Sequence, residues 1–90
     1  MKLLILNDAY YDTIFILENG WMYENYLELL DDIIEKKVEI TEYRYFDYND
    51  FSYDETVAIE EQIFNNLYYN KSANEKEFKE NFNILYNFTF

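Results

Sequence analysis

Carboxylates are the reactive groups this chain holds in quantity, and their spacing singles out a first candidate site. Glu24, Glu28, Asp31 and Glu35 recur at steps of four, three and four residues. On a helix advancing 100° per residue they fall in one narrow stripe, with about 5 to 6 Å between successive groups along the axis. Asp32 lies just beside the stripe. Like charges at i,i+4 mildly destabilise a helix, and a solvated helix face ordinarily mixes Glu with Lys; here no Lys follows Lys2 until Lys36. A row of one sign therefore invites a functional reason alongside the plain one, that any exposed face carries charge. A second patch comprises Glu39, Glu42, Asp47, Asp50, Asp54 and Glu55, interleaved with Tyr43, Tyr45, Tyr48 and Tyr53. Exposed tyrosine beside carboxylate offers large contact area at low ordering cost and stacks on Arg, although about half of the eleven tyrosines are expected to serve structure.

Enzyme chemistry fails mostly by subtraction. There is no His and no Cys, which removes the commonest general base, the nucleophilic triads, thiolate chemistry and the usual transition-metal ligands. One glycine, Gly20, leaves no phosphate-cradling loop. Paired carboxylates could serve glycoside hydrolysis or hold magnesium, but acids this abundant make any one pair uninformative. Asp47, Asn49 and Asp50 invite a calcium reading. An EF-hand loop from Asp47 would put Phe51 at its fifth position, Ser52 where Gly is required and Ala58 where the bidentate Glu belongs, so the pattern fails. No catalytic residue, cofactor or metal is expected.

Charge decides what the partner can be. Nineteen acids against seven bases give a formal net charge of -12. The eleven Asn and eleven Tyr, with many Ile and Phe, look like a coding bias toward A and T that should also have enriched Lys, yet only six Lys are present. Residues 3 to 35 carry eight acids and no base, residues 38 to 61 eight acids and one Arg, and residues 62 to 90 three of each. Net negative charge confined to the first two thirds is not what a general solubility requirement produces. Direct nucleic-acid binding is disfavoured, because phosphates need Lys and Arg. The longest apolar runs, Leu3 to Leu6 and Ile14 to Leu17, are far short of the ~20 residues of a membrane span. The first of them is also too short for a signal peptide. Without cysteine there is no disulfide framework, and a cytoplasmic protein is expected.

Ninety residues imply one domain, 1–90, stabilised by packing alone. Lys2 to Leu6 reads as a buried strand and Thr13 to Glu18 as a second, joined by a hairpin loop from Asn7 to Asp12 and followed by the Asn19-Gly20 turn. Met22, Tyr26, Leu29, Leu30, Ile33 and Ile34 predict a helix from about Met22 to Lys37, with Glu24 near its start and Lys36 and Lys37 in its last turn, both favourable to the helix dipole. Val38 to Tyr48 is strand-like, and a change of phase between Val38/Ile40 and Tyr43/Tyr45 predicts a bulge near Glu42. Ser52 with Glu55 predicts a capping box opening a helix to about Tyr69, and Ser72 with Glu75 a last helix burying Phe78, Phe82, Leu85 and Tyr86. Asn87 to Phe90 is open between an edge strand and simple packing. The expected fold is α+β: a small three-stranded, mainly antiparallel sheet packed with three helices.

In size, charge, lack of Cys, tyrosine content and carboxylate rows such as Glu24, Glu28, Asp31 and Glu35, the chain resembles the small acidic inhibitors encoded by bacteriophages and mobile elements, the DNA-mimicking anti-restriction and anti-CRISPR proteins. The resemblance is one of kind, since these inhibitors share no common fold or signature motif. It implies a viral protein that occludes a basic nucleic-acid-binding surface of a host defence protein, such as a CRISPR effector or a restriction enzyme. Such a protein would act as a monomer or homodimer and touch neither nucleic acid nor membrane directly. The alternatives are a structural or adaptor homo-oligomer associating through Phe82, Tyr86, Phe88 and Phe90, or an antitoxin-like neutraliser of a basic toxin.

Overall fold

The computed structural model describes residues 1–7, 12–47, 67 and 74–88. Strands β1 (Lys2–Asn7), β2 (Thr13–Leu17) and β3 (Met22–Tyr23) are followed by helix α1 (Tyr26–Ile34), strand β4 (Glu42–Asp47) and helix α2 (Glu75–Phe88). The sheet order is β3-β2-β1-β4. β1 pairs antiparallel with β2, Leu4 opposite Ile16, and β2 antiparallel with β3, Ile16 opposite Met22. β4 runs parallel to β1 over an unbroken register from Lys2 opposite Glu42 to Asn7 opposite Asp47.

This architecture corrects the expected three-stranded, mainly antiparallel sheet with three helices. The protein is α+β with a four-stranded mixed sheet and, among the described residues, two helices. Two local choices explain the difference. Met22 and Tyr23 continue the hairpin as a short third strand instead of opening the helix, because the turn at residues 18 to 20 aims them back along β2. That turn closes with Gly20 N donating to Leu17 O at 2.9 Å and Leu17 N to Trp21 O at 2.8 Å. Gly20 sits at φ 95°, as a hairpin with a left-handed last turn residue requires. Next, α1 carries the chain back across the sheet, so β4 enters at the same end as β1, the crossover a parallel pair needs. The Met1 ammonium donates to Glu39 O and Thr41 Oγ1, both at 3.0 Å, and Thr41 N donates to Met1 O at 3.0 Å, fixing the entry.

α1 is shorter than its periodicity predicts. Asn25 caps it from an extended conformation, its Oδ1 accepting from Leu27 N at 2.8 Å, so Met22 to Glu24 lie outside the helix. It ends with Lys36 N donating to Ile33 O and Lys37 N to Asp32 O, the double closure of a Schellman turn. Lys36 therefore sits at φ 60°, and Lys36 and Lys37 lie beyond the last turn rather than in it. There is no bulge at Glu42: the strand simply begins there, and Val38 and Ile40 pack into the core from the irregular connection before it. α2 begins at Glu75 and is capped by Asn74, whose Oδ1 accepts from Glu77 N at 2.8 Å, two residues later in the chain than the expected cap; it runs on through Asn87 and Phe88. The helix expected from Ser52 to Tyr69 lies outside the described residues apart from the buried Leu67, as do most of the Asn7 to Asp12 loop and Ser72.

The sheet is covered on both faces, which is why β1 and β2 read as continuous apolar runs. Leu4, Leu6, Ile14, Ile16 and Phe46 face α2 and pack with Leu67, Phe82, Leu85 and Tyr86. Leu3, Phe15, Leu17 and Tyr23 face α1 and pack with Leu29 and Val38. Each fully buried Leu, Ile or Phe among them contributes about 1.5 to 3 kcal/mol relative to exposure.

Candidate acidic interface

α1 presents three sides because its turn geometry sorts nine residues that are mostly apolar or acidic. Leu29 is buried and Ile33 packs partly against the sheet. Glu28, Asp31 and Glu35 lie to one side of them, exposed, within about 60° of arc at 100° per residue. With Asp32 they border a shallow groove of about 460 Å³ whose opposite wall is Trp21, Met22 and Tyr23, so the acidic side of α1 is the one next to β3. Trp21 is 57% exposed and stacks on Tyr23, ring centroids 6.2 Å apart and planes within 5°.

Asp32 differs from its neighbours. It is half-buried and its Oδ2 accepts from the Tyr23 hydroxyl at 2.6 Å, pinning α1 to β3. Burial, then this bond and the charge of Asp32, push the Tyr23 hydroxyl from 10.0 up to about 12. At the far end of the row, Lys37 Nζ meets Glu35 Oε2 at 2.9 Å, and Glu35 holds the ammonium above its ordinary value by hydrogen bond and charge. Glu24, exposed, precedes the Asn25 cap and so stands off the helix rather than in the row.

The second predicted patch is divided by the strand's alternation. Tyr43, Tyr45 and Asp47 take the α1 face of β4, opposite Leu3, Ile5 and Asn7, whereas Glu42 and Arg44 take the α2 face, opposite Lys2 and Leu4. There Lys2 Nζ lies 3.8 Å from Glu42 Oε1, and Lys2 and Arg44 stand 5.3 and 5.2 Å from the ring centroid of Tyr86. Burial raises the Tyr86 hydroxyl above its usual value; Glu42 adds to this and Arg44 opposes it. Glu39 is exposed on the connection before β4. Tyr48, Asp50, Asp54 and Glu55 lie outside the described residues. The structure thus brings Glu28, Asp31, Asp32 and Glu35 together, keeps Tyr43 and Tyr45 on the same face of the sheet, and places Glu42 on the other.

Two features escaped the sequence reading. Trp21 follows a turn and has no periodic signature. The exposed side chains Tyr26, Leu27 and Ile34 are a consequence of α1 carrying more apolar residues than one sheet face can cover; Leu27, out of step with the core-facing set, was the available sign.

A larger cleft of about 870 Å³ opens between the β2–β3 turn and α2. Its floor is Met22, Phe78 and Phe82, and its charges are engaged locally: Lys79 with Glu75 at 3.9 Å, Lys2 with Glu42, and Glu18 Oε1 with Lys2 N at 3.0 Å. It is a packing seam. Among the described residues no helix is long and apolar enough to cross a membrane, and no group of three or more acids is arranged to hold a metal ion. No family model matches the chain, nor does any curated protein or solved structure.

Proposed function

We propose that this protein is a non-catalytic inhibitor that docks its α1 face on the basic, nucleic-acid-binding surface of a host defence protein, a CRISPR effector or restriction enzyme, and so excludes DNA. The observation that carries this is the gathering of Glu28, Asp31 and Glu35, with Asp32, on one side of a nine-residue helix. The placement of Lys2 and Arg44 over Tyr86 on the opposite face of the sheet supports it, because those cations do not neutralise the row. Long-range attraction to such a face speeds encounter, and burial of adjacent aromatic and aliphatic groups slows escape. Phosphate-rich nucleic acid and anionic lipid are repelled by the same field.

Of the four rings expected to drive homo-oligomerisation, Phe82 and Tyr86 are 1% and 2% exposed and belong to the core, while the Phe88 side chain and Phe90 lie outside the described residues. Neutralisation of a basic toxin would use the same electrostatics. The test is DNA binding by purified effectors and restriction enzymes, followed by anisotropy of a labelled duplex with and without the protein. The expected result is displacement of the duplex by the protein at low salt, fading at high salt. A target that carries the protein and its duplex together contradicts the proposal.

A further inference from the structure

The acid row has an apolar neighbour that the described residues leave uncovered. Tyr26, Leu27 and Ile34 are 56%, 63% and 68% exposed, although each is large and apolar. Leu27, half-buried Leu30 and Ile34 are spaced i, i+3, i+7 and lie within about 60° of arc, a ridge about 10 Å long of the kind one helix offers another. The sheet does not use this ridge; α1 already meets it through Leu29 and Ile33. Because the acidic side of α1 borders β3, the apolar side is turned toward β1 and β4. There Tyr43 and Tyr45, on the same sheet face, are 68% and 46% exposed. Exposed apolar surface rimmed by charge marks an interaction site rather than ordinary surface.

We propose that this ridge is the docking face for an amphipathic helix of the partner protein, one whose apolar side is flanked by Lys or Arg along the edge that meets Glu28, Asp31 and Glu35. The proposal deepens the inhibitor reading and rests on it for the sign of the partner's charge. Charge complementarity selects the occupant. On the helix circumference Asp31 follows Leu27 by only about 40°, so whatever covers the ridge also covers the acids and must bring cations to them. A second copy of this chain would lay one acid row against another, each on a molecule of charge -12, and is disfavoured. Nucleic acid would meet the same row with phosphates and has no aliphatic side chain to fill the ridge. A helix laid in register supplies both terms, with anchors at i, i+3, i+4 and i+7.

The test titrates isotope-labelled full chain with three synthetic peptides, each about four turns long. One carries a Leu stripe on a Lys background, one the same Leu stripe on Glu, and one Ser in place of Leu on Lys. The expected result is binding by the Leu/Lys peptide alone, with amide shifts confined to Tyr26–Glu35 and Tyr43–Tyr45. The double variant Leu27→Asn/Ile34→Asn, altered only at exposed positions, should bind it about tenfold more weakly or worse while keeping the wild-type spectrum elsewhere. Equal binding of the Ser/Lys peptide overturns the docking face while sparing the basic-partner reading. Failure of both Lys peptides overturns the two together. Equal binding of the Leu/Glu peptide, wild-type affinity in the double variant, or a dimer that the double variant dissolves each overturns the proposed occupant.

Discussion

Gly20 closes the β2–β3 turn at φ 95°, and a Cβ there would meet only the Phe78 ring at an ordinary 3.8 Å. Backbone conformation rather than space therefore demands glycine, and Gly20→Ala should lower stability by about 1 kcal/mol, read from the midpoint of chemical denaturation. Lys36 also holds a left-handed conformation, φ 60°, which crowds a residue that carries a Cβ. Lys36→Gly should accordingly raise stability by up to about 1 kcal/mol in the same measurement, because glycine is the residue this C-terminal turn favours. Tyr23 ties α1 to β3 through Asp32. Its hydroxyl is raised to about 12 in the folded protein against 10.0 when unfolded, so this contribution is complete below about pH 10 and is lost as pH rises through about 12. Tyr23→Phe should be about 1 to 2 kcal/mol less stable at neutral pH, and its stability should fall less steeply across that alkaline window, as denaturation at a series of pH values would show.

At the scale of elements, α1 accepts local repulsion. Glu28 with Asp32 and Asp31 with Glu35 are like-charge pairs four residues apart, each destabilising by about 0.2 to 0.5 kcal/mol. Glu28→Gln/Asp31→Asn should therefore unfold no sooner than wild type, gaining a few tenths of a kcal/mol by thermal or chemical denaturation; a clear loss would mean that these carboxylates serve the fold. Signals carried by a single segment were legible in the sequence: the apolar runs of β1 and β2, the Asn19-Gly20 turn, and the Phe78, Phe82, Leu85, Tyr86 face of α2. What escaped depends on partners distant in the chain. Two residues of β3 show no periodicity, and only the ladder to Phe15 and Ile16 makes them a strand. The parallel setting of β4 is decided by the path of α1 and the Met1 clamp, and an ambiguous cap slipped by two residues because Ser72 and Asn74 are both competent. The Glu28, Asp31, Glu35 part of the acid row was legible because it is a helix-period pattern, whereas the loss of Glu24 from it follows from the Asn25 cap. The division of Glu42 from Tyr43 and Tyr45 was not, since it needs the strand's start and facing partner.

For the whole molecule, a net charge of -12 on ninety residues opposes compaction, and four of the described cations are engaged far from the row or at its end: Lys2 and Arg44 at Tyr86, Lys79 on Glu75, Lys37 on Glu35. Beside its acidic side α1 thus carries apolar groups that the described residues leave exposed, the pairing that suits capture of a basic protein surface. The most direct test of that claim is affinity capture from host lysate on immobilised wild type and on Glu28→Gln/Asp31→Asn/Glu35→Gln, at low and high salt, with and without duplex DNA. Wild type should retain a basic nucleic-acid-binding protein that salt and DNA both release, and the variant should retain little of it. Retention indifferent to salt, a captured protein that keeps its DNA, or equal capture by the variant would contradict the account.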